Sequence, residues 1–387
     1  MVRWSVGGLT RAPLDSCAVF AERGHDVTLI TPDPLDVPPA WLTPTAGLPR
    51  VQVVQPLRRF GLLGRNALDA IAQTVASQDV VHLHAPWTPS NVQIARIARR
   101  AGVPYVLTIH GMLDDWCMAV RQTKKRLYLA LMGRALIDRA AAVHFTAQAE
   151  LAQARRWFSN PRVVVLPYLF DLSELVELPG KHLAQDAFAP LRSEKPKILF
   201  LSRLHPKKGV ELLVEAASIL QRENLALEVI IAGDGTPQYL QQLRELVRKH
   251  DLEKTVTFIG LVKGPLKLSV FQAADVFVLP TSQENFGLVL PESLACGTPV
   301  ITTRGVDIWQ DIEAAGGIIV DRSAPEIVRA MKDLIQDPAA RAERSRRGRQ
   351  WVLENLDPMR LAERYERLYR DCIERCRGGI PAPATTA

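Results

Sequence analysis

The sequence is poor in cysteine, with five among 387 residues: Cys17, Cys117, Cys296, Cys372 and Cys376. Their number is odd, their spacing is irregular and no Cys-x-x-Cys pair occurs, which excludes a disulfide framework of the secreted kind. Cys372 and Cys376 stand four apart on an expected terminal helix, with no further ligands beside them to complete a metal site. No run of 18 apolar residues occurs, so no segment reads as a bilayer-spanning helix. The opening residues lack the apolar stretch of a signal peptide, and the expected location is the cytoplasm. Charge of one sign is scarce as well. Forty-eight Lys+Arg against 41 Asp+Glu leave a formal +7, which suits an anionic ligand or a membrane surface. That charge is spread, without the motif of a nucleic-acid binder. The chain has no Asp-x-Asp pair, no complete Gly-x-Gly-x-x-Gly and no internal repeat of 20–50 residues.

What is present is a core. Hydrophobic residues make up 47% and charged residues 23%, and the length suits two domains. In the first half, apolar runs at 26–31, 50–54, 79–84, 104–109, 142–145 and 162–166 read as strands. Helical patterns fall at 89–100, 121–140 and 147–157. The stretch 169–194 carries Pro179, Gly180 and Pro190 and breaks the rhythm, which then restarts. Strands follow at 197–201, 227–232, 255–259, 275–279, 299–302 and 317–320. Helices over 209–223, 237–250, 265–273, 324–337 and 339–353 alternate with them. Continuous apolar strands separated by helices predict parallel sheets covered on both faces. The expected fold is α/β with two Rossmann-like domains, at 1–172 and 195–357, joined by a linker at 173–194. A helix over 358–377 presents Leu361, Tyr365, Leu368 and Tyr369 on one face, and 378–387 reads as a frayed tail. Gly7 and Gly8 come so early that only residues 2–6 remain for an opening strand, which is very short or missing.

Several polar positions can carry chemistry. Gly7-Gly8 begin a helical stretch to Glu22 and would let a ligand approach its N-terminus; a plain tight turn is the alternative. His110-Gly111 follow the strand at 104–109, at the strand end where open α/β sheets bind ligands, or else His110 packs under a loop. His82 and His84 share one strand face, but a metal pair there lacks a third ligand. Arg203 and Lys208 flank a helix start and form a cradle for a diphosphate, or a solvated charge cluster. Gly233-Asp234-Gly235 also follow a strand and permit close backbone approach. The sharpest feature runs Glu284-Asn285-Phe286-Gly287-Leu288, then Pro291-Glu292 and Gly297-Thr298-Pro299-Val300. Eight residues along one helix leave the two glutamates about 80° out of line. Glu284 is therefore expected in a loop and Glu292 at a helix start marked by Pro291. Carboxylates so placed accept hydrogen bonds from sugar and ribose hydroxyls; for Glu292 a favourable first-turn charge is the competing explanation.

This ordered set resembles the large family of retaining, nucleotide-sugar-dependent glycosyltransferases of the GT-B fold, the glycosyl transferases group 1. The resemblance implies two Rossmann-like parallel-sheet domains facing across a cleft, with the helix from 358 crossing back to the first domain. It implies no cofactor other than the substrate itself, a UDP- or GDP-hexose. Gly7 and Gly8 would line the diphosphate and acceptor side, and His110 would approach the transferred sugar. Arg203 and Lys208 would bind the phosphates, with Gly233 and Gly235 beside the nucleotide. Glu284 would hold sugar hydroxyls, Asn285, Phe286, Gly287 and Leu288 would help seat sugar and phosphate, and Glu292 would bind the ribose. The implied acceptor is a saccharide or a lipid-linked saccharide, as in surface polysaccharide or glycoconjugate synthesis, and no nucleic acid is implied. Retention without a nucleophilic carboxylate points to front-side attack, with Arg203 and Lys208 supplying positive charge to the leaving diphosphate without a metal.

The sequence departs from the family pattern at the short opening strand and at Pro291. The basic, Leu-rich stretch 121–140 could lie on the inner face of the cell membrane as a peripheral contact, or pack on the sheet with a wet face. A nucleotide-sugar epimerase and a non-catalytic sugar- or nucleotide-binding relative are the competing functions.

Overall fold

A computed structural model of the chain describes residues 8–54 and 61–378. The expected opening strand at 2–6, Gly7 and the tail beyond Gly378 lie outside the described residues. The chain divides into two compact units, Met1–Asp171 with Pro358–Ala387, and Leu172–Asp357.

The first unit contains β1 (Thr28–Thr31), β2 (Arg50–Val53), β3 (Val81–His84), β4 (Tyr105–Thr108), β5 (Ala142–Phe145) and β6 (Val163–Val165), all paired in parallel. They form two sheets, β1-β2 and β3-β4-β5-β6, because among the described residues no strand pairs with the second edge of β1 or of β3. The elements follow local chemistry. Helix Pro89–Arg100 starts on a proline, where the missing N–H costs nothing. It ends on Arg99 and Arg100, with Gly102 at a positive φ just beyond. Its buried stripe of Val92, Ala95 and Ala98 joins a core with Leu83, Leu107, Ile109 and Phe145.

The last helix, Pro358–Gly378, belongs to this first unit. It buries Leu361 and Tyr365, and Leu368 and Tyr369 pack against Val19, Phe20, Leu166 and Leu169. Glu366 on its outer side takes bonds of 2.6 and 2.9 Å from Arg23 and lies 2.9 Å from His25. The Arg23 hydrogen bond, with His25 helping, holds the Glu366 carboxyl down to about 2.

The second unit contains β7 (Lys197–Leu201), β8 (Glu228–Ala232), β9 (Val256–Gly260), β10 (Val276–Leu279), β11 (Val300–Thr303) and β12 (Ile318–Val320). They form one six-stranded sheet, all parallel, in the order β12-β11-β10-β7-β8-β9. This is the doubly wound order, whose direction of winding reverses between β7 and β10. β7 and β10 sit at its centre, and β8 and β10 are buried throughout. Helix Pro237–Lys249 shows why the covering layer forms: Thr236 caps the N–H of Tyr239, and Tyr239, Leu243 and Val247 recur every four residues as its buried stripe.

Two stretches differ from expectation. Residues 173–194 hold helices Ser173–Val176 and His182–Ala187 and belong to the second unit. Ser269 Oγ accepts from Ala184 N at 2.9 Å, Gln272 Oε1 accepts from Gly180 N at 2.8 Å, and Leu191 is fully buried. The prolines there shorten the helices without freeing the chain from the core. The 121–140 stretch is not one regular helix. Arg121 adopts φ 52, helix Gln122–Tyr128 follows, and a π turn over Leu129–Gly133 leads into helix Arg134–Asp138. At Gly133 a Cβ would lie 3.0 Å from the side chains of Leu129 and Tyr128, which crowd the widened turn.

Candidate active site

In the second unit, the loops leaving β7 and β10 flank the point where the sheet reverses, the crevice where doubly wound sheets take ligands. The first loop carries Arg203 and then the short 3-10 turn Pro206–Lys208. The second runs from Pro280 to Leu288 and carries Glu284. The two are tied together: Ser282 N donates to the Lys207 carbonyl at 2.7 Å, and Thr281 Oγ1 donates to it at 3.0 Å. Gly209, at φ 75, makes this approach feasible, since a Cβ there would fall 2.2 Å from the Pro280 carbonyl oxygen.

The approach brings Lys208 and Glu284 together. Lys208 is only 6% exposed, and its ammonium lies against Glu284 Oε2. That oxygen is shielded from solvent, and Lys208 is its partner. Burial, followed by the charges of Lys207 and Arg203, pulls the Lys208 ammonium down to about 7. The same three cations, after burial, lower His205. Arg203, Lys207 and Lys208 are thus close enough to feel one another, a concentration of positive charge suited to a diphosphate.

Glu284 is held by its backbone. Its N–H donates to the Gly305 carbonyl at 2.7 Å and its carbonyl accepts from Asp307 N at 2.9 Å. Asn285 Nδ2 donates to Asp307 Oδ2 at 3.2 Å, and Phe286 is buried. Leu288 precedes helix Val289–Ala295, and Leu290 N donates back to the Gly287 carbonyl. Glu292 lies in the first turn of that helix, 4% exposed, and Lys267 Nζ donates to its Oε1 at 2.8 Å. Each of the two glutamates is therefore matched to a lysine, Glu284 to Lys208 and Glu292 to Lys267. Lys267 and Asp307 were not among the sequence candidates. They lie 25 and 22 residues from the side chains they bond, and only the fold brings them together.

Gly233 and Gly235 bring two protein loops together. A Cβ at Gly233 would lie 1.9 Å from the Ser202 carbonyl oxygen, and one at Gly235 would lie 2.5 Å from that of Leu204. The loops after β7 and β8 pack at backbone distance, and Leu204 N donates to the Asp234 carbonyl at 2.7 Å. Their first effect is to fix the loop that carries Arg203.

In the first unit, helix Gly8–Glu22 starts at Gly8. His110 follows β4 in a left-handed conformation, φ 59, costly for a residue with a Cβ. Three contacts offset that cost. Buried Glu150 accepts from Gly111 N at 2.6 Å, Tyr168 Oη lies 2.5 Å from His110 Nδ1, and His84 Nδ1 lies 2.9 Å from His110 Nε2. His82, His84 and His110 stack in sequence, with centroids 4.6 and 5.1 Å apart. His82 bonds Tyr369 Oη at 2.7 Å and Thr108 Oγ1 at 2.6 Å, and Thr108 in turn bonds His144 Nδ1 at 2.8 Å. Burial keeps all four rings neutral, His84 and His144 at about 4 and His82 and His110 well below the usual histidine range. Among the described residues no group of three His, Cys, Asp or Glu is arranged to hold a metal ion.

Known proteins with the same pattern give the family. Residues 184–351 match the model of "Glycosyl transferases group 1", and residues 7–168 match the "Glycosyl transferase 4-like domain". The chain is 29% identical to the D-inositol 3-phosphate glycosyltransferase of Pseudarthrobacter chlorophenolicus, over 69% of this chain and 65% of that protein, just under two thirds of its length. It is 26% identical to the glycogen synthase of Mycobacterium tuberculosis, over 95% of this chain and 93% of that one. Among solved structures, Anabaena Alr3699/HepE, crystallised with UDP, shares the fold with a TM-score of 0.76 at 18% identity, over 95% and 96% of the two chains. Two matched domains, the doubly wound sheet and the returning terminal helix lead to one conclusion: the chain belongs to the GT-B glycosyltransferase superfamily.

Proposed function

We propose that the protein is a retaining glycosyltransferase that moves a hexose from a UDP- or GDP-sugar to a hydroxyl of a saccharide or lipid-linked saccharide. The observation that carries this reading is the meeting of Lys208 and Glu284 on the two loops that flank the sheet reversal, with Arg203 beside them. Arg203 and Lys208 bind the diphosphate and neutralise the charge that builds on it as the glycosidic bond breaks. Glu284, released from Lys208 by the incoming phosphate, accepts from sugar hydroxyls. Glu292, oriented by Lys267, accepts from the ribose. The acceptor hydroxyl attacks from the leaving-group side, and its proton passes to the departing phosphate. His110 acts on the transferred sugar.

The lipid-linked form of the acceptor is favoured by the surface around the 121–140 stretch. Trp116, Val120, Leu127 and Leu131 are exposed there, among Arg121, Lys124, Arg126 and Arg134. Apolar side chains ringed by cations suit an anionic membrane surface as a peripheral contact.

The test is turnover. The protein is incubated with UDP- and GDP-hexoses and a panel of saccharide and lipid-linked acceptors, and the product anomer is assigned by NMR. Transfer with retained configuration is expected. Epimerised donor, or saturable nucleotide binding without transfer to any acceptor, would refute the proposal.

A further inference from the structure

The first unit holds a cavity of about 260 Å³ at the amino-terminal ends of three strands. Tyr105 opens β4, Ala141 directly precedes β5 and Arg162 directly precedes β6. His110 follows the other end of β4, so the cavity stands apart from the candidate active site. The terminal helix closes it through Cys372 and Arg375. Tyr105 and Cys372 are buried parts of the lining. Four arginines line it as well, Arg99, Arg139, Arg162 and Arg375, and no carboxylate does.

The protein does not answer this charge. Among the described residues Arg99, Arg139 and Arg162 have no ion-pair partner, and Arg375 meets Asp371 at 3.5 Å on an exposed stretch of its own helix. Asp138, which acts on Tyr105 from nearby, is engaged by the N–H groups of Ser159 and Asn160 at 2.6 and 3.1 Å. Arg162 Nε is shielded from solvent and has no hydrogen-bond partner among the described residues. The four groups are also mutually close. Burial pushes the Cys372 thiol up to about 11 while Arg375 and Arg162 pull it back, and Arg99 and Arg139 act in the same sense on the phenol of Tyr105.

A plainer role exists for three of them. Arg99, Arg139 and Arg375 stand at helix ends, where a cation answers the exposed carbonyls. That accounts for each singly. It does not account for Arg162, which stands before a strand, or for the convergence of all four on one cavity. A shielded guanidinium N–H without an acceptor is costly until an anion supplies one.

We propose that this cavity binds a small phosphorylated molecule, a diphosphate or a monosaccharide phosphate, held by Arg162 and Arg375 with Arg99 and Arg139 on its exposed side. Four permanent cations match a ligand with two or more negative charges. A phosphate carries these near neutral pH and fits the planar arginine fork, whereas a single carboxylate brings one. The volume suits a small molecule. Three of the arginines come from the sheet side and Arg375 from the terminal helix, whose Cys372 packs on Val106 and Ala142. The ligand therefore staples that helix to the sheet.

Calorimetry and thermal melts of the whole chain with inorganic pyrophosphate and glucose 6-phosphate, at physiological salt, test this. At least one should bind saturably and raise the melting temperature. Arg162→Gln, and Arg99→Gln combined with Arg139→Gln, should each weaken that binding by about ten- to a hundredfold and abolish the thermal shift. Arg99 and Arg139 are exposed, so the double variant keeps its core packing and reads out even where Arg162→Gln is poorly folded. Arg203→Ala, altered in the other unit, should bind as the parent does. No saturable binding of either phosphate would overturn the proposal. So would binding lost in Arg203→Ala but kept in the other variants, which would place the phosphate in the candidate active site and leave the functional reading intact. Arginine-dependent binding to phosphatidylglycerol vesicles alone, with neither free phosphate bound, would overturn it in favour of a lipid headgroup.

Discussion

Lys208 is buried against Glu284, and burial together with Lys207 and Arg203 brings its pKa to about 7 in the ligand-free protein. A diphosphate arriving beside it favours the charged form and returns the pKa toward the usual lysine value. The sign follows from linkage. The ammonium is the form that binds phosphate, so binding takes up a proton and affinity falls as pH rises above 7. A nucleotide's terminal phosphate is fully ionised by pH 7.5 and contributes little beyond that point. With a free pKa near 7, the protonated fraction falls from about a quarter at pH 7.5 to about a hundredth at pH 9, a loss of about 25-fold in affinity or about 2 kcal/mol. Isothermal calorimetry with UDP or GDP across that range measures it. Repeating the titration in buffers of different ionisation enthalpy counts the proton taken up, about 0.8 at pH 7.5. Lys208→Arg, charged throughout, should flatten the pH profile. A wild-type affinity constant between pH 7.5 and 9, or an equal slope in Lys208→Arg, would refute the reasoning.

Four further outcomes are expected. Arg203→Ala should weaken nucleoside diphosphate binding by about 1.5–3 kcal/mol, about ten- to a hundredfold, with an unchanged melting temperature; calorimetry and a thermal melt on one preparation check both. Glu292→Gln should weaken nucleotide binding while Glu284→Gln lowers turnover more than affinity, so equal losses at the two sites would show the roles to be misassigned. Lys267→Met strips the buried Glu292 carboxylate of its ammonium partner, at a cost of about 3 kcal/mol and about 6–12 °C in the melting temperature, which differential scanning calorimetry would show. His110→Ala should keep nucleotide affinity near the parental value and lower turnover at least about tenfold; a destabilised variant with near-parental turnover would remove His110 from the machinery.

The second sheet was legible because each buried strand is a short apolar run closed by a turn. Residues 197–201 coincide with β7, and the periodic, Pro-headed helix at 89–100 was equally plain. Helix Arg65–Ala76 was missed: only Ile71 and Val75 are buried, and four alanines blur the period. Helix Trp309–Ala314 is too short to show one. Of the candidate site, single residues at strand ends could be named, since their placement is a property of the local chain. Their partners could not. Lys267 with Glu292, Tyr168 with His110 and Glu150 with the Gly111 N–H are meetings between segments distant in the chain, set by the sheet order. The same holds for the two glycines after β8, whose small size is required by the loop after β7.

The returning terminal helix also bears on how the polypeptide is made. Tyr365 Oη lies 3.1 Å from His144 Nε2 and Tyr369 Oη 2.7 Å from His82 Nδ1, contacts spanning 221 and 287 residues of chain. The core around Val19, Phe20 and Leu169 is closed by Ala362 and Tyr365. The ribosome delivers these closing side chains only after the whole of the second unit. The contiguous unit Leu172–Asp357 can complete its sheet while the earlier-made unit still waits for its lid. Synthesis order and folding order are thereby reversed. A released chain truncated at Asp357 would resist protease in its second half and be cut in its first, and one extended through the terminal helix would be protected in both.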